Sequence, residues 1–449
     1  MTKLFGTDGI RGKAGSFPLD AKTMREVGFL LATHLHEESG RGARVIIGRD
    51  TRESGPWIET AIIEGLNAAD GEAVSVGVMT TPGIAFLTRV NSMDAGIVVS
   101  ASHNPYSDNG IKVFLPSGRK LPESVEAFIE SRIGSVEIQE SSEKIPHAKP
   151  EDLDRFESQY ERHILDIFSG LSLSGMRIAI DCANGASSKI APRIFESLGA
   201  EVFVIGASPD GRNINEGCGS LHMERLQSLV REKAANLGVA YDGDADRALL
   251  CDASGEIVDG DGILWVVAKD MLVTKGLGSK SVVATVMTNI GLELAFKQHG
   301  IDLVRTDVGD KYVLDELVRN GGEIGGEQSG HIIFPETSLV GDGIVTSLKV
   351  IEVLARHEVS MRDALKGFTR YPQLLENIKV SSKPPFETIK SVSDAIASAA
   401  DQLLGRGRIL VRYSGTENLA RVMIEGDDLS MIQKLSESVS DAIREAIGS

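Results

Sequence analysis

Short apolar runs rich in β-branched residues alternate with helical patterns along most of the chain. In the first round, strands are predicted at residues 44–48, 73–78 and 95–99, with a helix over 58–69. The run at 95–99 has no polar residue, which is typical of a strand buried on both faces of its sheet. Strands that alternate with helices in this way predict α/β layers with largely buried sheets.

The same alternation returns twice, and the C-terminal part of the chain departs from it. The second round spans residues 176–241 and the third 282–319, whereas residues 377–447 have the order strand, helix, strand, strand, helix. We therefore predict an α/β protein with three similar mixed-sheet α/β domains and a C-terminal α+β domain. The expected domains are 1–150, 151–254, 255–369 and 370–449, with the polar segment 135–150 as a connector.

The composition is that of a folded protein with an acidic balance. Of 449 residues, 42% are apolar and 25% are charged, which is ordinary for a globular chain and argues against disorder. Lysine plus arginine is 47 and aspartate plus glutamate is 64, so the net charge is −17. A nucleic-acid partner is not expected, because phosphate backbones need a basic face. Small anionic substrates need only a local cationic pocket.

The cysteines and the N-terminus favour a cytoplasmic location. Cys182, Cys218 and Cys251 are widely spaced and form no CxxC pair, so neither a zinc knuckle nor a disulfide framework is expected. The first residues have no apolar core of a signal peptide. No apolar run is long enough to span a bilayer, so no membrane partner is expected.

The segment 100–112 follows the buried run at 95–99 and contains candidate phosphoryl chemistry. Its Asn-Pro and Asn-Gly pairs favour turns, so the Ser102 hydroxyl is expected on a compact loop. A serine held in this way can accept and donate a phosphoryl group, and His103 and Lys112 can supply positive charge beside it. For an isolated Ser-His pair, turn capping is the commoner role.

Three carboxylates, those of Asp242, Asp244 and Asp246, follow the last strand predicted in the second domain. If the chain stays extended there, they share one face and converge. Crowded carboxylates are costly unless a cation binds, and oxygen ligands suit Mg²⁺. An EF-hand is excluded, because Arg247 and Ala253 stand where it needs glycine and glutamate. The haloacid dehalogenase motif DxDx[TV] is not matched either, because Asp246 stands where that motif has Thr or Val.

Further glycine-rich segments contain polar groups. Segment 325–331 places Glu327 and His331 among small residues, where they could bind sugar hydroxyls, although a plain turn is the commoner meaning. Segment 412–418 joins two predicted strands, and its hydroxyls, backbone N–H groups and flanking Arg412 and Arg421 favour a phosphate loop. The glycine-rich loop 5–12 and the segment 48–52 are expected to be braced by arginine–aspartate bonds. No Walker A, GxSxG or HExxH motif is present.

Together these segments resemble the α-D-phosphohexomutase superfamily, from residue 5 to about residue 426. A phosphoserine loop, a metal loop, a sugar loop and a phosphate loop occur in the family's order. The branch that acts on glucosamine phosphates is favoured by FGTDGIRG at 5–12, GLELAFKQHGI at 291–301, VGDKYVL at 308–314, GEQSGHIIF at 326–334 and GDGI at 341–344. Asn418 replaces the usual proline of the phosphate loop, and Ala245 replaces a glycine common in that branch.

The resemblance implies a fold around a central cleft and a set of site residues. Ser102 would be phosphorylated, and its phosphate with Asp242, Asp244 and Asp246 would hold one Mg²⁺. The other implied residues are Arg11, His103, Lys112 and His331 near the transferred phosphoryl group, and, for the substrate, Arg247, Glu327, Ser329, Arg412, Ser414, Gly415, Thr416 and Arg421. The general base is either His331 or Lys112.

The implied activity is that of an isomerase, an intramolecular phosphotransferase. It would interconvert a hexosamine 6-phosphate and 1-phosphate, in the pathway to UDP-N-acetylglucosamine, through a 1,6-bisphosphate. A hexosamine or glucose 1,6-bisphosphate would activate it. The expected partners are a small phosphosugar and a second copy of the chain in a homodimer. The alternatives are a sister mutase for mannose or glucose phosphates and a catalytically silent sugar-phosphate-binding protein.

Overall fold

The computed structural model describes residues 3–6, 8–138, 150–274, 276–414 and 418–449. They form two compact units, Met1–Val286 with Val304–Leu365 and Met287–Leu303 with Lys366–Ser449. Within the described residues, four sheets of six, five, four and three strands define four domains and confirm the predicted fold class. In the described ranges, no helix has the length and apolar character needed to cross a membrane. Most of the predicted connector, residues 139–149, lies outside the described residues.

The first sheet is mixed and packs between helices. Its domain contains β1 Phe5–Gly6, β2 Gly9–Lys13, α1 Ala21–Ser39, β3 Arg44–Arg49, α2 Gly55–Ala68, β4 Glu72–Val78, α3 Thr81–Val90, β5 Ala95–Val99, β6 Asp108–Phe114 and α4 Glu123–Glu130. The strand order is β1-β2-β6-β5-β3-β4, and β3 is parallel to β4 and β5 while β6 is antiparallel to β5 and β2. The all-apolar β5 is buried throughout, so the loop that follows it starts from a rigid support.

Two local expectations in this domain are wrong. The loop expected at 5–12 contains the antiparallel strands β1 and β2, and the Asn109-Gly110 pair lies within β6 rather than in a turn. Pairing of β2 with β6 aligns Arg11 with Gly110, so ladder hydrogen bonds override the local turn propensity. Gly9 is required there, because its φ is +81° and a Cβ would lie 2.0 Å from the Ile111 carbonyl oxygen.

The second sheet places the metal loop at a hairpin. Its domain contains α5 Pro150–Ile167, β7 Arg177–Asp181, α6 Ile190–Ser197, β8 Glu201–Ile205, α7 Glu224–Glu232, β9 Leu237–Tyr241, β10 Ala248–Asp252 and β11 Ile257–Val258. The order is β11-β10-β9-β7-β8. β9 is buried throughout and antiparallel to β10, with Tyr241 opposite Ala248. The three aspartates therefore lie in the connection between two paired strands.

The third sheet has the order β13-β12-β14-β15. The elements of this part of the chain are α8 Gly260–Thr274, β12 Ser281–Thr285, α9 Ile290–Gln298, β13 Asp302–Thr306, α10 Asp310–Asn320, β14 Gly325–Gly326, β15 Ile332–Ile333, α11 Gly343–His357 and α12 Met361–Ala364. β14 is parallel to β12 and antiparallel to β15. The predicted sugar loop is therefore the tight hairpin between β14 and β15.

The second unit has its own core and contains the predicted order strand, helix, strand, strand, helix. These elements are β16 Gln373–Lys379, a 3₁₀ helix Phe386–Thr388, α13 Lys390–Gln402, β17 Gly407–Tyr413, β18 Leu419–Gly426 and α14 Leu429–Ile447. The sheet is antiparallel in the order β16-β18-β17. Helix faces that include Val392 and Ile443 bury against Val422 of the sheet, which confirms the expected α+β domain.

Asp342 caps α11 from a buried position. Its carboxylate accepts hydrogen bonds from the backbone of Ile344 and Val345, both at 3.0 Å, and from the Tyr160 hydroxyl at 2.6 Å. Burial raises the pKa of Asp342 to about 6, although these hydrogen bonds lower it. Because this pKa lies above the ordinary value of 3.8, folding favours the protonated acid. Ionisation of Asp342 therefore lowers the stability of the folded protein. This loss of stability is absent below about pH 4 and complete above about pH 6.

We expect Asp342→Asn to gain stability relative to the wild type as the pH rises from about 4 to about 7. The gain should be about 3 kcal/mol, because the amide keeps an acceptor for the N–H groups and carries no charge. Thermal unfolding of both proteins across this range measures it, and parallel pH curves would contradict the expectation.

Asp428→Asn is a matched control for this experiment. Asp428 caps α14 through Ser430 and Met431, but it is exposed. The hydrogen bonds from Ser430 and Met431 lower the pKa of Asp428, so its charge stabilises the fold above its ordinary pKa. The Asp428→Asn variant should match the wild type in strong acid and be the less stable protein above about pH 5, which is the opposite pH dependence.

Candidate active site

Ser102 is buried at the start of the loop that follows β5. It is 1% exposed and its φ is +53°, a left-handed conformation that a serine adopts only when its surroundings hold it. Its Oγ donates a hydrogen bond to Oδ2 of Asp242 at 2.5 Å and lies 3.2 Å from Nδ1 of His103. The tertiary structure thus brings the candidate nucleophile into contact with the metal loop of another domain.

Asp242, Asp244 and Asp246 form one buried cluster. One oxygen from each carboxylate lies within 4.8 Å of the others. The chain is not extended here, since it turns and Ala245 has a φ of +57°. The three carboxylates converge, as predicted, but the expectation that an extended chain brings them together is wrong. The turn directs them inward because the flanking strands are paired.

The cluster could bind a metal ion. Oδ1 of Asp244 and Oδ1 of Asp246 are buried and make no hydrogen bond within the ranges that the structure describes. A buried acceptor without a donor costs about 1–3 kcal/mol, and a cation would remove that cost. Burial, and then the charges of Asp246 and Asp244, raise the pKa of Asp242 well above its usual range. This donor set fits a hard divalent cation, because all of its groups are oxygens.

Lys112 is the buried cation next to the cluster. It lies on β6, and its Nζ is 2.8 Å from Asp246, 3.0 Å from Asp244 and 3.3 Å from Asp8. Burial alone would lower the pKa of Lys112, but the carboxylates, first Asp244, raise it well above its usual range. An ammonium group has three N–H donors, and three carboxylates surround this one. Lys112 is therefore held as a fixed positive charge.

His331, Arg247 and His103 border the same cluster. Nδ1 of His331 is 3.6 Å from Oδ1 of Asp246, and Nε2 accepts a hydrogen bond from the Gly341 backbone at 3.2 Å. Nε of Arg247 is 3.8 Å from Asp246. Burial and then the charges of Arg247 and Arg11 lower the pKa of His103 to about 4, so His103 is neutral near neutral pH.

The sugar loop, residues 325–331, and Arg11 contain the next three predicted site residues. Glu327 accepts a hydrogen bond from the Gly309 backbone at 3.0 Å. Oγ of Ser329 is buried and has no hydrogen-bond partner among the residues that the structure describes. Arg11 forms an ion pair with Asp8, as the sequence suggested for this glycine-rich segment. Ser329 therefore offers a hydroxyl for which a ligand could provide a partner.

The predicted phosphate loop belongs to the second unit. Arg412 and Arg421 are directly opposite on β17 and β18, an arrangement in which like charges repel each other. Ser414 is buried, and its carbonyl accepts a hydrogen bond from Nζ of Lys383 at 2.8 Å. Gly415 and Thr416 lie outside the described residues.

Four further residues of the site were not singled out from the sequence: Asp8, Thr81, Lys120 and Asp310. Thr81 donates to Oδ2 of Asp244 at 2.6 Å. Nζ of Lys120 lies 2.6 Å from Asp8 and 2.7 Å from Asp310. Asp8 and Asp310 lie within segments 5–12 and 308–314, which carry the family resemblance, so that resemblance could have identified them. Thr81 and Lys120 have no local signal, because only folding places them here.

Models of one protein family match nearly the whole chain. They are described as phosphoglucomutase/phosphomannomutase alpha/beta/alpha domain I for residues 2–140, domain II for 158–255, domain III for 259–371 and the C-terminal domain for 375–442. The chain belongs to this family, the α-D-phosphohexomutase superfamily, and is therefore an enzyme of the isomerase class.

Full-length relatives are more specific. A phosphoglucosamine mutase of Solibacter usitatus (strain Ellin6076) is 45% identical over 446 residues, which cover 99% of each chain. One of Koribacter versatilis (strain Ellin345) is 45% identical over 455 residues, covering 100% of this chain and 98% of the relative. A Burkholderia thailandensis protein of the phosphoglucomutase/phosphomannomutase family shares the fold, with a TM-score of 0.80 and 24% identity over 99% of this chain and 97% of that one.

Proposed function

We propose that the protein interconverts glucosamine 6-phosphate and glucosamine 1-phosphate, the reaction of phosphoglucosamine mutases. The observation that carries the proposal is the 2.5 Å contact between Ser102 and Asp242 inside a buried aspartate cluster. The full-length similarity to phosphoglucosamine mutases supports the sugar. The proposed domains are a phosphoserine domain 1–150, a metal domain 151–254, a sugar domain 255–369 and a phosphate domain 370–449.

In this proposal the resting enzyme has a phosphate on Ser102. A dianionic phosphate next to three carboxylates would be strongly repelled without cations. Lys112 is one of them, and Asp242, Asp244 and Asp246 would hold Mg²⁺ as the other. When bound, Mg²⁺ neutralises charge on the phosphoryl oxygens. Position and charge neutralisation do most of the work in phosphoryl transfer, which suits a site with a single nucleophile and several fixed charges.

The proposed reaction has two transfers. In the first, the bond from phosphorus to Oγ of Ser102 breaks and a bond to O1 of the sugar forms; O1 loses its proton, Oγ gains one, and a 1,6-bisphosphate is left. After the bisphosphate reverses its orientation, the phosphoryl group on O6 returns to Oγ, which loses its proton, O6 gains a proton, and glucosamine 1-phosphate leaves. A free hexosamine or glucose 1,6-bisphosphate would activate unphosphorylated enzyme by the same second step.

The proton of the attacking sugar hydroxyl has two candidate acceptors in this proposal, His331 and Lys112. All three N–H groups of Lys112 face carboxylates, which suits a fixed cation better than a proton acceptor. Glu327 and Ser329 are the proposed sugar ligands, and Arg11, His103 and Arg247 border the transferred phosphoryl group. In the second unit, Arg412, Ser414 and Arg421, with Gly415 and Thr416, are the proposed ligands of the phosphate that is not transferred.

A direct comparison of substrates tests the proposed function. The purified protein is assayed with Mg²⁺ and a catalytic amount of glucose 1,6-bisphosphate on the 6-phosphates of glucosamine, mannose and glucose. We expect kcat/KM for glucosamine 6-phosphate to exceed the other two by about tenfold or more, because the polar groups of a sugar site discriminate against substrates that leave them unpaired. A preference for mannose or glucose 6-phosphate would instead indicate a phosphomannomutase/phosphoglucomutase. Binding by calorimetry without any product would make it a silent binding protein.

A further inference from the structure

Arg52 uses every one of its donors on the Ser102 loop and its support. The side chain is fully buried, and Nε donates to Oδ2 of Asp50 at 2.8 Å. The two Nη atoms donate to four backbone carbonyls, those of Ser102 at 3.0 Å, Asn104 at 2.8 Å, Pro105, and Asp108 at 3.0 Å. A guanidinium group has five N–H donors in a fixed fork, so all of them are engaged.

The same pair also holds Ser102 from its N–H side. Oδ2 of Asp50 accepts a hydrogen bond from Oγ of Ser100 at 2.7 Å, and that hydroxyl accepts one from the Ser102 backbone N–H at 2.9 Å. Asp50 and Arg52 are themselves fully buried. The two peptide groups on either side of Ser102 are therefore tied to one ion pair at the end of β3.

A second donor reaches the same carbonyls from the metal-loop domain. Nδ2 of Asn215 donates to the carbonyls of Ser102 at 2.9 Å and Asn104 at 3.1 Å. Asn215 has a φ of +59°, a conformation that asparagine tolerates better than most residues. The backbone of the metal loop packs on the same place, because a Cβ on Gly243 would lie 2.6 Å from the Ser102 carbonyl oxygen.

We propose that Arg52 and Asn215 are positioning residues that jointly hold Ser102 in its left-handed conformation by binding the same two carbonyls. The carbonyl of Ser102 is thereby fixed from both domains, and its Oγ is directed at Asp242. The sequence suggested only that this arginine braces a loop. The inference rests on the proposed role of Ser102 as the phosphoryl carrier.

Three variants test the inference by steady-state kinetics. Arg52→Lys keeps the charge but removes the fork, and Asn215→Gly removes the donor while a positive φ stays accessible. Each should lower kcat about 100-fold, because a misplaced nucleophile loses alignment. KM for the sugar phosphate should change by less than about threefold, since the proposed substrate ligands are untouched. The double variant should lose less than the product of the two single effects, because both residues act on the same carbonyls.

Arg408→Lys is the matched control. Arg408 also pairs with a buried carboxylate, that of Glu425 at 2.7 Å, and donates to the Thr288 carbonyl at 2.7 Å. It tests whether loss of a partly buried arginine fork alone lowers kcat. Wild-type kcat in Arg52→Lys and Asn215→Gly, or an equal fall of kcat in Arg408→Lys, would overturn the inference.

Hydrogen exchange gives a readout that does not depend on turnover. Backbone amides of residues 101–108 should exchange faster in Arg52→Lys and in Asn215→Gly, and at the wild-type rate in Arg408→Lys. If the wild type turns over no sugar phosphate, the proposed function fails, while the exchange rates still decide whether the two side chains hold the loop. Unchanged exchange rates in both Arg52→Lys and Asn215→Gly would refute the proposal that these two side chains hold the Ser102 loop.

Discussion

Replacement of Ser102 by alanine is expected to lower turnover of glucosamine 6-phosphate by about 10⁴-fold or more. The transferred phosphoryl group has to bond to Oγ in each catalytic cycle, so the reaction loses its covalent path when that atom is absent. Oγ of Ser102 is the hydroxyl oxygen that lies 2.5 Å from Oδ2 of Asp242. The measurement is a coupled assay of glucosamine 1-phosphate formation.

The same variant should stay folded. Alanine and serine have similar preferences at a φ of +53°, and the lost hydrogen bond to Asp242 should cost about 1–3 kcal/mol. Circular dichroism and thermal unfolding check this. Ser187→Ala is the matched control, since Ser187 is also buried, and its hydroxyl donates to the Cys182 carbonyl at 3.4 Å. Near-normal turnover in Ser102→Ala would refute the assignment of the nucleophile.

Intact-protein mass spectrometry adds evidence that is independent of turnover. The wild type and Ser187→Ala should contain a fraction with one added phosphate, and Ser102→Ala should contain none. If the Ser102→Ala protein is still phosphorylated at the wild-type level, the modified residue is a different one.

Asp244→Asn is expected to lower activity about 10²–10³-fold, as removal of one fixed electrostatic group at a reacting centre commonly does. Oδ2 of Asp244 accepts hydrogen bonds from Thr81 at 2.6 Å and from Lys112 at 3.0 Å. An asparagine would keep its carbonyl on these two donors, which turns its NH₂ group towards the place of Oδ1. Two N–H donors would then point at the position of the cation and weaken its binding.

Magnesium titration measures this loss directly. The Mg²⁺ concentration for half-maximal activity should rise in Asp244→Asn, and calorimetry without substrate should show weaker metal binding. Asp270→Asn is the control, because Asp270 is a buried carboxylate that pairs with His357 at 2.7 Å on a different part of the fold. Full activity of the wild type in the presence of a strong chelator would show that the aspartate cluster has another role.

Much of the architecture follows from local patterns. The run at 95–99 is a strand with the predicted bounds, because an apolar β-branched segment of that length is stable only between two covered faces. The strand–helix order of the C-terminal domain was predictable for the same reason, since each element has its own period of apolar positions. Local patterns also identified Ser102 and the three aspartates, because these residues stand directly after buried strands.

Local patterns misled where neighbouring strands decide the backbone. Asn109-Gly110 is a strong turn signal, yet it lies in β6 because β2 and β5 pair with it on both sides. The metal loop was expected to be extended, and it turns at Ala245 because β9 and β10 form a hairpin around it. In both cases, the hydrogen bonds of paired strands outweigh a propensity of a few tenths of a kcal/mol to about 1 kcal/mol.

The chain's residues and their order determined the domain plan, the nucleophile loop and the acidic cluster, because those depend on contacts between near neighbours in sequence. The tertiary structure alone decided which charged and polar side chains contact one another in the site. Asp8 is 104 positions from Lys112 in the printed numbering, and Thr81 is 163 from Asp244, so no periodicity connects them. Their pairing depends on how whole sheets pack, because burial of apolar faces positions the sheets and the charged side chains then find partners at the distances that result.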